Sequence, residues 1–289
     1  MGEVPVWGMV LTPFTGGGAA VDHASLAAHV RALLDQGVHG LVALAVIAEP
    51  AALSREERGA VLDTVLDHAQ DRPVVATVMA LDDDDHAADL QTVVTPRADR
   101  LAGLMLPVHS PDPRALTERL RTAHQKSRLP IWVQDYPGPT GVTIALDDLA
   151  GALGAVPSVV AVKCEAAPTF LRIHELARAL PQLRLLSGLG GANLVEDLIA
   201  GATSIACGIS RPVDLVAAVR AWEVNDLPGT RAAVAKVSAR VGIETQPGTS
   251  IAIRKEHWRR AGIIAGADVR PPQLAYPGFL SGLSDSLLR

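Results

Sequence analysis

The sequence predicts an α/β fold, a (β/α)8 TIM barrel carrying a C-terminal helical extension, on three observations. Short β-branched runs alternate with helix-period stretches, the pattern of parallel βαβ units. Eight such runs fall within about 210 residues, close to the usual barrel size of roughly 250. The alternation then stops near residue 226, and the remaining residues have helical periodicity only. The boundaries expected are therefore a barrel over 1–226 and an extension over 227–289.

The elements run in this order. WGMVLTPF is the first strand, and HASLAAHVRALLDQG the first helix, stopped by Gly37 at the position where a left-handed residue ends a helix. GLVALAVI is the second strand. SREERGAVLDTVLDHA opens on Ser54 with Glu57 three residues on, a capping box. PVVATVM is the third strand. The helix after it, HAADLQTVVTPRADR, contains TVV and then Pro96, so it should be short or broken. LAGLMLP, PIWVQDY, VVAVKCE, RLLSG and TSIACGIS complete the strands. PRALTERLRTAHQ, LDDLAGALGAV, TFLRIHELARAL, NLVEDLIAG (ended by Gly201) and PVDLVAAVRAWE are the helices between and after them. TRAAVAKVSARVG, SIAIRKEHWRRAG and LSGLSDSLL form the extension.

Composition narrows the function. A formal net charge of -5 with acids and bases interspersed offers no basic stripe for nucleic acid. No apolar run approaches the ~20 residues of a membrane helix, and MGEVPVWGMVLTPF has neither the basic nor the apolar region of a secretory signal. Cys164 and Cys207 alone make no disulfide framework or zinc site. A soluble, cytoplasmic protein without metal is the expectation. LDDDDH reads as the acidic first turn of a helix rather than a metal site. Arg254, Lys255, Arg259 and Arg260 in IAIRKEHWRR read as a solvated or interface face.

In such a barrel, chemistry sits at the C-terminal strand ends. Side chains alternate along a strand, so Lys163 and Glu165 share a face at the end of the sixth strand, as Gln134 and Tyr136 do on the fifth. A lysine in dry surroundings has its ammonium form disfavoured, which leaves an amine able to form a Schiff base, with a carboxylate beside it to move protons. A structural strand-end ion pair is the competing reading. SGLGGAN, residues 187–193, forms a turn too unlike a dinucleotide fingerprint to argue for phosphate.

GMVLTPF, GLVALAVIAEPAALSREER, PIWVQDYPGPTGV, VVAVKCE and LLSGLGGANLVEDLIAGATSIACG, in this order and spacing, resemble the dihydrodipicolinate synthase and N-acetylneuraminate lyase family. The resemblance implies the barrel with its helical extension, a homo-oligomer and commonly a tetramer, no cofactor, and a Schiff base between Lys163 and the ketone of pyruvate or another 2-oxo acid. It also implies that Gly188 and Gly190 of the SGLGGAN turn, with Gly208 after the eighth strand, line the substrate. Departures accompany it. The family's threonine pair in a Gly-Thr-Thr-Gly-Glu loop is replaced by Val46 and Ile47, with Glu49 retained. Gln134 stands where the catalytic tyrosine is expected, and His109 where a second tyrosine would lie.

Dehydratases of 2-oxo-3-deoxy sugar acids within that family resemble this chain at VQDYP, AVIAE and KCE. The resemblance then implies a hydro-lyase with Lys163 as nucleophile and Glu165 as general acid and base. Gln134 and the Val46 and Ile47 amides position substrate, and His109 or Tyr136 assists. An aldolase of the same class, or a 2-oxo acid binding protein that has lost turnover, stays open beside it.

Overall fold

In the computed structural model, which describes residues 2–288, eight parallel strands close into a barrel. They are β1 Val6–Met9, β2 Gly40–Ala43, β3 Val74–Thr77, β4 Gly103–Pro107, β5 Ile131–Asp135, β6 Val159–Cys164, β7 Arg184–Ser187 and β8 Ser204–Cys207. Sequence neighbours pair throughout, and β1 closes the ring by pairing with both β2 and β8. The main helices are α1 His23–Asp35, α2 Arg55–His68, α3 Asp83–Asp89, α4 Pro113–Ser127, α5 Leu146–Gly154, α6 Thr169–Ala179, α7 Leu194–Ala200 and α8 Pro212–Glu223, with a single turn over Pro137–Thr140 after β5. Three more, α9 Leu227–Glu244, α10 Ser250–Arg260 and α11 Ser281–Leu287, make the extension. Among the described residues no helix is long and apolar enough to cross a membrane.

Two apolar layers arise from strand alternation. Trp7, Met9, Val42, Val75, Met105, Trp132, Ala161, Leu186 and Ala206 cluster as one group, and residues of the other parity pack with the helices in a second. Ala161 and Trp132 belong to the first group, so Lys163 and Gln134, two residues further along each strand, share their face. Asp135, of the other parity, reaches Arg172 on α6, and Cys164 and Cys207 join the outer layer.

Local signals are realised where no tertiary demand opposes them. Ser54 accepts from the Glu57 amide at 3.1 Å while Glu57 accepts from the Ser54 amide at 2.9 Å. Asp82 caps α3, accepting from the amides of Asp84 and Asp85. Gly37 and Gly201 take φ of 87° and 114° after α1 and α7, a region that costs glycine little. The third helix breaks as its sequence requires: α3 gives way to a π-turn over Leu90–Val94 and then to a 3-10 turn, Thr95–Arg100, that accommodates Pro96.

Buried ions hold the extension on the barrel. Lys255 of α10 lies 2.5 Å from Glu49 in the loop after β2 and 4.1 Å from the Phe14 ring centroid. Glu49 also accepts from the Arg270 amide at 2.9 Å. Glu244 at the end of α9 accepts from the Ser210 amide at 2.8 Å and pairs with His257 at 2.5 Å. His257 in turn reaches Ser284 of α11 at 3.0 Å. This Ser–His–Glu chain is wholly buried, so its part is structural.

His29 on α1 packs edge-on against Trp258 of α10, ring centroids 4.7 Å apart. Burial pushes its pKa from 6.5 down to about 3. The unfolded chain therefore binds the proton first, and stability present above pH 6.5 is lost as pH falls toward 3. Between pH 6.5 and 5 this linkage amounts to roughly 2 kcal/mol. His29→Phe should flatten the pH dependence of urea unfolding between about pH 6.5 and 5 by about that amount.

Candidate active site

The fifth and sixth strands bring the catalytic candidates together. Gln134 and Lys163 are register partners across the β5–β6 ladder. The Glu165 amide continues that ladder by donating to the Asp135 carbonyl at 2.9 Å, which keeps Glu165 on the Lys163 face one residue past the strand. Lys163 Nζ stands 2.9 Å from Glu165 Oε2. Gln134 Nε2 donates to the same oxygen at 2.6 Å, and the Leu189 amide donates to Oε1 at 3.2 Å. Lysine and glutamate are 5% and 7% exposed, so neither charge is satisfied by bulk water. Separating two such charges would cost several kcal/mol. Two hydrogen bonds and the ion pair itself hold the carboxylate in place.

A cavity of about 100 Å3 opens at this pair, and Val46, Ile47, Gln134, Tyr136, Gly190 and Gly208 are among its walls. Lys163 Nζ lies 5.9 Å from the Tyr136 ring centroid. Burial, reinforced by Glu165, raises the Tyr136 phenol to about 12, so it keeps its proton at neutral pH. Val46 and Ile47 open a 3-10 turn, and its first amides have no partner within the turn. Gly208 admits close packing, because a Cβ there would stand 3.2 Å from Ile47 Cδ1. Gly190 has φ of 67°, and a Cβ on it would crowd Ile209 and Thr245. Gly188 lies behind the carboxylate rather than on the cavity wall: a Cβ there would fall 2.2 Å from Glu165 Cγ.

Two further residues expected from the sequence lie elsewhere. Glu49 is spent on Lys255 and the Arg270 amide, and does not face the cavity; retention of this carboxylate serves the junction between barrel and extension. His109 lines a separate recess of about 290 Å3 with Asp83, His86 and Arg119, because the chain after β4 carries it outward between α3 and α4. Burial, and next Arg119, push its pKa down to about 4, so it is neutral there, and it is not among the residues lining the cavity at Lys163. A groove of about 610 Å3 between α4 and α5 is wider than either, but it is open and has no buried acid–base pair.

The reading of IAIRKEHWRR as a solvated or interface face fails for Arg254 and Lys255, which are buried, whereas Arg259 is exposed. Ile251 to Trp258 are all buried, and Arg254 joins the cavity wall with Thr245, Ser250 and Ile251. The signal was present in the spacing: Arg254 lies three residues after Ile251 and four before Trp258, on the stripe those apolar residues define. The consecutive charges obscured it. Among the described residues no three His, Cys, Asp or Glu side chains gather as metal ligands.

Gly188→Ala should displace Glu165 while leaving the barrel folded. The expected result is at least a tenfold loss of turnover, with Lys163 still open to labelling by a ketone and borohydride; steady-state rates and peptide mass spectrometry check the two halves.

A family model described as the dihydrodipicolinate synthetase family matches residues 5–275. The 4-hydroxy-tetrahydrodipicolinate synthase of Sorangium cellulosum is 31% identical over 246 residues, covering 81% of this chain and 79% of the relative. That of Kineococcus radiotolerans is 30% identical over 283 residues, covering 96% and 90%. The fold is shared with the crystal structure of dihydrodipicolinate synthase from Rhodopseudomonas palustris, at a TM-score of 0.89 and 22% identity over 99% of this chain and 97% of that one. The chain belongs to the dihydrodipicolinate synthetase family, whose members are class I lyases that work through a lysine Schiff base.

Proposed function

We propose that Lys163 forms the Schiff base here, and that the reaction is loss of water from a 2-oxo-3-deoxy acid of the sugar-acid type. The observation that carries this is the placement of Glu165, the single carboxylate on the cavity wall among the described residues, paired with the nucleophile itself. Glu165 takes a proton from the Lys163 ammonium, and the freed amine adds to the C2 carbonyl. Glu165 returns that proton to the carbinolamine hydroxyl, which leaves as water to give an iminium and restores the carboxylate. Glu165 then removes a proton from C3, forming an enamine, and returns it to the C4 hydroxyl as that group departs. The conjugated iminium is hydrolysed, releasing the dehydrated 2-oxo acid and the amine. One base of fixed position suffices, since C3 adjoins the iminium carbon and C4 the C3 carbon. Gln134 orients the carboxylate, and the Val46 and Ile47 amides offer donors to the substrate.

A second reading, aldol cleavage or condensation with pyruvate, is favoured by Tyr136, whose phenol faces the same cavity, and by the synthase names of the relatives. It needs a base on the substrate hydroxyl, and a phenol raised to about 12 is a poor one at neutral pH. Product identity separates the two: free pyruvate for cleavage, a dehydrated 2-oxo acid for elimination. An adduct without turnover of either kind would instead support a binding role.

Borohydride reduction in the presence of pyruvate should add one reduced pyruvate to the peptide containing Lys163, and Lys163→Ala should abolish it. Glu165→Gln should retain the adduct yet lower turnover of 2-keto-3-deoxy sugar acids by at least about 100-fold. An unlabelled parent chain would end the Schiff-base reading.

A further inference from the structure

Helix α10 buries four polar residues in succession, Arg254 to His257. Three have partners. Lys255 pairs with Glu49, Glu256 with Arg259 and Arg260, and His257 with Glu244 and Ser284. Arg254 is different. It is 6% exposed, its Nε is buried without a hydrogen-bond partner among the described residues, and it lines the cavity that holds Lys163 and Glu165. The acids whose fields reach it, chiefly Glu244 and also Glu165, are engaged elsewhere: Glu244 with Ser210 and His257, Glu165 with Lys163 and Gln134. Burial lowers its pKa, but a guanidinium stays charged at neutral pH.

We propose that Arg254 is the anion receptor of this cavity, its guanidinium taking a carboxylate of the 2-oxo acid while Lys163 takes the ketone. The proposal rests on the Schiff-base reading for its ligand and goes beyond it in assigning a residue of the extension to substrate recognition. Charge balance supports it. Lys163 and Glu165 neutralise each other, which leaves one positive charge at the cavity wall. The iminium replaces the ammonium one for one, so the excess persists through the reaction and a single carboxylate offsets it. A planar fork of donors also matches a carboxylate better than a point charge does. The carboxylate has two possible sources on one substrate class: the one beside the ketone, or a second one further along the chain.

The test uses the intact chain and two probes, pyruvate with one carboxylate and 2-oxoglutarate with two. For each, the concentration giving half-maximal borohydride labelling and the rise in melting temperature are measured in the parent, in Arg254→Met and in Arg254→Lys. Arg254→Met should fold and melt no lower than the parent, because it removes a buried charge that has no partner. If the receptor takes the carboxylate beside the ketone, half-labelling in Arg254→Met rises at least about 30-fold for both probes. If it takes the remote one, it rises for 2-oxoglutarate alone. Arg254→Lys should fall between parent and Met. In Arg254→Ala, added guanidinium ion should restore part of the loss. Equal half-labelling in parent and Arg254→Met for both probes overturns the proposal, as does an Arg254→Met chain that fails to fold, since the guanidinium would then be structural. If the parent gives no adduct but is stabilised by pyruvate while Arg254→Met is not, the Schiff base fails and the receptor stands. No stabilisation of the parent by either probe overturns the receptor as well.

Discussion

The Lys163–Glu165 pair sets the terms for the rest of this molecule. A lysine and a glutamate that have left bulk water must face each other closely and be held there, because their desolvation is repaid only at short range. The barrel meets this demand through strand parity and register. Lys163 points inward because Ala161 does, and Gln134 stands beside it because β5 and β6 pair in that register. The carboxylate is then held by two hydrogen bonds besides the ion pair, and the absence of a Cβ at Gly188 leaves room for it. A loop carboxylate free to turn would not keep one oxygen on the amine.

The extension answers a related problem with different ions. Lys255 and His257 anchor α10 to Glu49 and Glu244, so the helix cannot rotate without stranding two buried charges. Arg254 lies directly before Lys255, and the same anchoring directs it into the cavity. The loop after β2 is thereby shared: Val46 and Ile47 line the cavity, and Glu49, three residues past Val46, ties the loop to the extension. Its φ of 56° turns the chain between these two duties.

Much of the architecture was legible because it depends on local periodicity. Alternating runs mark strands, Ser54 with Glu57 marks a helix start, and TVV with Pro96 marks a broken helix; each is a property of a few adjacent residues. Lys163, Glu165, Gln134 and Tyr136 were legible for the same reason, since parity along two strands places them on one face. Glu49 and His109 were not. Each was assigned from its place in a loop, and a loop's side chains are aimed by whatever packs against them. For Glu49 that partner is Lys255, 206 residues away; for His109 it is the recess between α3 and α4.

The amino-acid order alone determined the (β/α)8 class, the extension and the identity of the inward-facing lysine, because these depend on repeat length and side-chain alternation within single strands and helices. Only the tertiary structure decided which charges meet. It withdrew Glu49, His109 and Gly188 from the cavity at Lys163 and brought Arg254 into it. The physical reason is that pairing of buried ions is a long-range matter. A charge run such as RKEH has the same local appearance whether it faces water or buried partners such as Glu49 and Glu244, and only closure of the chain determines which of its members is left with none.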